Sequence, residues 1–166
     1  IIYNGIDPNG SERQLIARSM DQLVGAPIRG TEGGQGPIVS PDGAWIGFLT
    51  DGISPNGNLK KVSLFGGPPV TLAEMTNPVN GASWGLDDQI IFGSFRSGLF
   101  RVSGGGGEPE SLTTPDSESG QTGHVWPSVI PERDAVLFKL PVEKRLTVHA
   151  LGDQRGDDNA YHHCDG

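Results

Sequence analysis

The sequence predicts an all-β chain built from repeated four-stranded antiparallel units, and three observations carry that prediction. The 26 glycines and 13 prolines among 166 residues leave little room for long helices and suit short strands joined by turns. The segment SPDGAWIGF, Ser40 to Phe48, recurs downstream in weaker form: Phe48 of WIGF is matched by Phe92 of QIIF and Phe138 of AVLF, at spacings of 44 and then 46 residues. Further landmarks repeat at similar distances and give four short strands in every 40 to 45 residues. That is the period of a propeller blade.

Ser40-Pro41-Asp42-Gly43 reads as a turn. Pro sets φ near −65°, Asp bonds the backbone two residues on, and Gly supplies a positive φ. Ala44 to Leu49 is then apolar on both alternating faces, as in a strand sandwiched between two other sheets. Gly36 to Val39 supplies the first strand of this blade, Leu59 to Val62 the third, and Val70 to Leu72, after the pair Gly66-Gly67, the fourth. The next blade repeats the plan with Leu86-Asp87-Asp88 as a turn lacking Pro and Gly, then Leu99 to Val102, Gly106-Gly107 and Glu110 to Leu112.

The ends fall into the same register. Ile1-Ile2-Tyr3 lies where a second strand belongs, with Gln14 to Arg18 and Ala26 to Ile28 as third and fourth. The chain is therefore expected to begin inside a blade, and the absent initiator Met fits a cut N-terminus. His124 to Ile130, Ala135 to Leu140 (after the turn Pro131 to Asp134) and Leu146 to Leu151 make three strands of a last blade, and no fourth is recognisable. The expected organisation is a β-propeller arc with a partial blade at 1–30, complete blades at 36–73 and 79–114, a partial blade at 124–151, and a disordered polar tail at 152–166. Such an arc is a fragment of a larger ring, whose open edges and apolar blade faces call for the missing blades or another copy as partner.

Composition excludes several classes. The net charge of −8 and scattered basic residues argue against a nucleic-acid surface. No apolar run reaches about 18 residues, so no membrane-spanning helix is expected, and no signal peptide is expected within the residues before the first strand. The single cysteine, Cys164, allows no internal disulfide and leaves the redox compartment open.

The phrases PIRGTEGGQGP (27–37), SPDGAWIGF (40–48), LKKVSLFGGPPVTL (59–72), NPVNGASWG (77–85), SGLFRVS (97–103), EPESLTT (108–114) and HVWPSVIPERDAVLF (124–138) together cover most of residues 14–138. At these phrases the sequence resembles TolB-like, WD-repeat-like β-propellers, most nearly the propeller regions attached to bacterial serine/threonine protein kinases. The resemblance implies a parent with an intracellular kinase domain, often a membrane segment, and then the propeller as a sensing or interaction module on the extracytoplasmic, periplasmic side. None of the kinase motifs stands in this chain, so the chain itself is read as non-catalytic. The propeller of a prolyl-peptidase-like hydrolase and a stand-alone periplasmic TolB-like scaffold are the alternative parents.

The chemistry-bearing motifs mostly favour structural readings. Gly81-Ala82-Ser83-Trp84-Gly85 matches G-x-S-x-G, yet Ser83 falls in a first strand with no helical pattern after it, so it is not read as a nucleophile. Gly104 to Gly107 is read as a hairpin loop rather than a phosphate cradle, since no GK[ST] follows and Glu108 and Glu110 would repel phosphate. His162-His163-Cys164-Asp165 are contiguous and lack a second ligand pair at zinc spacing, so no metal site is expected. Asp51 to Asn58 lacks EF-hand spacing and reads as a long hairpin loop. Trp45, Trp84 and Trp126 are expected to pack between blades, and Lys60-Lys61 to be solvated or at a blade edge. Arg96, between second and third strands, and His124, before a first strand, belong to loop types that share one propeller face, and they are the candidate ligand-face residues. No cofactor is expected.

Overall fold

The computed structural model describes residues 1–6, 10, 12–50, 57–131, 135–142, 145–152 and 162–163, with side chains as far as residue 141. The described residues hold strands and turns and no helix. Four antiparallel sheets follow one another along the chain. The first contains β1 (Ile2–Ile6), β2 (Arg13–Ala17) and β3 (Ala26–Pro27), and the second β4 (Gly34–Val39), β5 (Trp45–Thr50), β6 (Asn58–Ser63) and β7 (Val70–Glu74). The third contains β8 (Val79–Trp84), β9 (Gln89–Ser94), β10 (Ser97–Ser103) and β11 (Glu110–Ser111). The fourth contains β12 (Val125–Ile130), β13 (Ala135–Val142), β14 (Arg145–Gly152) and β15 (His162–His163). In every sheet the strands lie in chain order, which is the blade topology the repeats predict.

One strand corrects the sequence reading. His162–His163, within the tail expected to be disordered, pair with Ala150 and His149 of β14 and give the last sheet a fourth strand. Two polar residues carry no alternation by which a strand is recognised, so backbone pairing alone defines β15. The rest of the tail lies outside the described residues, as does most of the Asp51 to Asn58 loop.

The apolar core sits between sheets. Ile46 and Phe48 of β5 pack toward Leu15 and Ile28 of the first sheet, whereas Leu49 of the same strand packs toward Ile90 and Phe92 of the third. Strand β9 repeats the arrangement, since Ile91 turns to Val136 and Phe138 of the fourth sheet. Both-faced apolarity in the second strand of a blade thus has a direct use. Each fully buried Leu, Ile or Phe is worth about 1.5–3 kcal/mol, against roughly 1 kcal/mol for a typical hydrogen bond. These three inter-sheet layers therefore dominate the energetics.

Polar contacts fix how neighbouring sheets meet. The repeated glycine pairs put Gly67 and Gly107 at φ 139° and 144°, and each donates its N–H to the outer part of the preceding blade, Gly67 to the Arg29 carbonyl at 3.3 Å and Gly107 to that of Leu72 at 3.0 Å. Lys61, expected to be solvated or at a blade edge, is half-buried at a blade boundary: its Nζ donates to the Gly104 carbonyl at 2.6 Å and lies 4.6 Å from the centre of a Trp45 ring. The long aliphatic stem lets a strand lysine reach across a blade boundary while keeping its charge on a carbonyl and an indole.

The SPDG turn forms as its chemistry requires. Ser40 Oγ donates to Asp42 Oδ1 at 2.5 Å and accepts from Trp45 N–H at 2.9 Å, Ala44 N–H donates to Asp42 Oδ1 at 3.0 Å, and Gly43 takes φ 70°. In the next blade Asp88 occupies the glycine position at φ 60°, which Asp tolerates better than most side chains, and Gln89 N–H donates to Asp87 Oδ1 at 3.2 Å. The turn therefore survives without Pro and Gly.

The hydrogen bond from Ser40, then that from the Ala44 amide, holds the Asp42 carboxyl below its ordinary value of 3.8. A carboxyl depressed in the folded state contributes stability above its unfolded pKa and loses it as pH falls through the folded pKa. The melting temperature of the wild-type chain is expected to drop as pH falls below about 4. Asp42→Asn should melt lower at neutral pH and show a shallower acid drop, the remaining slope including Asp116, which Ser119 lowers in the same way. Scanning calorimetry from pH 3 to 7 checks both.

Candidate functional site

The first strands of the second, third and fourth sheets carry the same defect. Strand β4 bulges between Gln35 and Ile38, β8 between Val79 and Ala82, and β12 between Val125 and Ser128. The residues there at positive φ are Gly36 at 62°, Gly81 at 95° and Trp126 at 49°, each 45 positions from the last. Glycine suits such a bulge; for a bulky side chain the conformation costs on the order of 1–3 kcal/mol. Trp126 breaks the rule of its own repeat.

Around these bulges lies a groove of about 380 Å³ lined by residues of β1, β4, β5, β8 and β12, among them Asn4, Gln35, Asn80 and Trp126. The residue before each bulge glycine is a carboxamide, Gln35 or Asn80. Asn4 Oδ1 accepts from Gly36 N–H at 3.2 Å, whereas Asn80 Oδ1 is buried without a hydrogen-bond partner among the described residues. Trp126 is 44% exposed rather than packed between blades as expected. Phe95 meets its ring edge-on at 5.7 Å, and Lys139 Nζ lies 5.0 Å from a ring centre. A Cβ on Gly81 would come within 2.7 Å of Trp126 Cα, so the close approach of β8 and β12 depends on that glycine. The lining contains carboxamides, an indole and apolar groups and no charged side chain.

The two sequence candidates come to the same region with different orientations. Ser94 and His124 form an isolated bridge, and His124 N–H donates to the Ser97 carbonyl at 2.9 Å, so the β9–β10 turn and the approach to β12 lie side by side. Arg96 is exposed in that turn, next to Phe95. His124 is fully buried, which corrects its placement on an open ligand face. Its Nε2 lies 3.2 Å from Gln121 Oε1 and its Nδ1 2.6 Å from Thr113 Oγ1, and Thr113 Oγ1 also accepts from Leu99 N–H at 2.8 Å. Because Gln121 Oε1 only accepts, the network assigns the ring proton to Nε2 and makes Nδ1 the acceptor of the Thr113 hydroxyl. Phe138 closes the pocket at 4.8 Å between ring centres. An imidazole in this setting ties the segment after β11 to both adjoining sheets.

Ser83 lies in β8 and its Oγ accepts from Val129 N–H at 3.1 Å, a link between the third and fourth sheets. The strand-to-helix turn that a nucleophile elbow requires is not formed there. Gly104 to Gly107 serve the blade boundary described above. The side chains of His162 and His163, and residues Cys164 and Asp165, lie outside the described side chains.

No family model matches this chain, and no curated protein matches it significantly. Solved structures do. TolB from Acinetobacter baumannii superposes with a TM-score of 0.67 at 15% identity, over 95% of this chain and 42% of that one. A TolB-type protein from Agrobacterium tumefaciens gives 0.62 at 17%, over 93% and 62%. The β-propeller domain of the trilobed protease from Pyrococcus furiosus gives 0.57 at 14%, over 98% and 52%. The chain thus spans less than two thirds of the length of these proteins. The likeness is one of fold: an all-β chain of four-stranded antiparallel sheets, matching part of a TolB-like propeller.

Trp126→Gly should restore the conformation of the other two bulges. Relief of the strained φ offsets the lost ring contacts, so its free energy of unfolding is expected to stay within about 1 kcal/mol of wild type. His124→Ala, which empties a buried hydrogen-bonded site, should cost about 2–4 kcal/mol. Urea denaturation distinguishes the two.

Proposed function

We propose that this chain is a non-catalytic binding module, an arc of a larger propeller, which takes up a neutral polar ligand, foremost an extended peptide segment of a protein partner, in the groove around Trp126. The single observation that carries the reading is the pairing, in one groove, of a strained, exposed Trp126 with an Asn80 amide oxygen that has no partner among the described residues. Strain retained at a bulge points to use, since glycine is available at no cost in the two sister positions. Carboxamides both donate and accept, which matches the backbone of a peptide, and an exposed indole offers a broad surface for one apolar side chain. In this reading Arg96 adjoins the groove only through Phe95, which meets the Trp126 ring edge-on, and His124, bonded to Thr113, is a positioning residue outside the lining.

For the parent protein, two readings have separate support. The sequence phrases favour the sensing part of a bacterial serine/threonine kinase, with the arc on the extracytoplasmic side. The likeness of fold to a protease propeller supports the alternative, a ring that filters or positions substrate for a hydrolase domain. A stand-alone periplasmic scaffold is the third. Flanking coding sequence separates them: an upstream kinase domain with a membrane segment supports the first, a downstream α/β-hydrolase domain the second, and an upstream signal peptide the third. In each case the remaining blades, or a further copy, complete the ring.

Peptides selected against the chain from a random display library test the groove. The winners are expected to bind wild type and to lose at least tenfold in affinity with Trp126→Gly and with Asn80→Ala, whereas Arg96→Ala costs about threefold or less. Winners that bind Trp126→Gly as tightly as wild type would place recognition elsewhere and overturn the proposal.

A further inference from the structure

A second, smaller pocket lies between the second and third sheets and borders the groove at the bulges through Val79. It measures about 190 Å³, and its walls include Met75, Val79, Phe92 and Phe100. Phe92 and Phe100 stack at 5.7 Å with 16° between their planes, so one wall is a flat aromatic surface. Ser97 also lines the pocket, and its buried Oγ has no hydrogen-bond partner among the described residues. Two carboxylates, Glu74 and Glu108, also line the pocket, and no cationic side chain is among the lining residues. Elsewhere on the third sheet Glu110 pairs with Arg101 at 2.8 Å, and neither Glu74 nor Glu108 has such an ion pair among the described residues.

We infer that this pocket receives a primary alkylammonium group, the chemistry shared by a lysine side chain and a free aliphatic amine. A four-carbon stem fits the apolar walls, as lysine stems do wherever they lie along apolar surface. The ammonium then sits near the two carboxylates and over the aromatic wall, where opposite charge and ring quadrupole both favour it. The Ser97 hydroxyl, by a rotation about its Cα–Cβ bond, is available as an acceptor. The volume suits a single side chain or small amine and excludes a folded element. The inference does not rest on the peptide groove: of the residues that line the two, only Val79 is common to both.

The test is an NMR titration of the isotope-labelled chain with n-butylamine, Nα-acetyl-lysine methylamide and n-butanol at neutral pH. Both amines are expected to shift the amides of Ser97, Phe100 and Val79 with dissociation constants on the order of millimolar, as their size allows. Butanol should bind at least tenfold more weakly. Glu74→Gln/Glu108→Gln, two exposed positions whose replacement leaves the core intact, should weaken amine binding at least tenfold, and 0.5 M NaCl should weaken it in wild type. A lysine derivative that binds as well as butylamine identifies a protein side chain as occupant; butylamine alone identifies a free amine. Equal binding of butanol, or amine affinity unchanged in the double variant, overturns the inference.

Discussion

The constraint on which the structure depends is that the middle sheets carry apolar side chains on both faces and so cannot be solvated on either. Strand β5 sends Ile46 and Phe48 one way and Leu49 the other, and β9 divides Ile90 and Phe92 from Ile91 in the same manner. A sheet of this kind is stable only between neighbours. From that follow the 45-residue repeat, the stacking of sheets in chain order, and the glycine and lysine contacts that set the spacing at each boundary. Gly67 and Gly107 reach the previous blade through backbone that side chains rarely adopt, so the two di-glycine pairs are parts of a joint.

The fold was legible because these requirements repeat. Turn residues, alternation and spacing recur at 40 to 46 residues, and three partly degraded copies identify what one would not. Even the turn at Leu86-Asp87-Asp88 kept its geometry, since Asp87 and Asp88 do locally what Asp42 and Gly43 do in the sister turn. The strand β15 was not legible: two histidines in a polar tail carry no pattern, and only pairing with β14 defines them.

The candidate site was much less legible. Loop position alone brought Arg96 and His124 to one face, but a histidine within a loop reads the same whether exposed or buried; its hydrogen bonds to Thr113 and Gln121 decide the matter. Trp126 illustrates the opposite case. Two of the three tryptophans are half-buried beside blade boundaries, Trp45 beneath Lys61 and Trp84 bonding Asp88, whereas Trp126 opens to the groove. A signal was present, because Gly36, Gly81 and Trp126 are equally spaced and only the third is not glycine. It becomes readable once the bulges show that this position requires a positive φ.

A core placed between sheets, rather than within them, makes the stability of each blade a property of its neighbours. Native-state hydrogen exchange resolved by residue measures this directly. The amides of β5, β6, β9 and β10, in sheets flanked on both sides, should exchange only through global opening, while those of β1, β2 and β13 should exchange through smaller, local openings. Equal protection in all four sheets, or the slowest exchange in the first, would contradict an inter-sheet core as the source of stability.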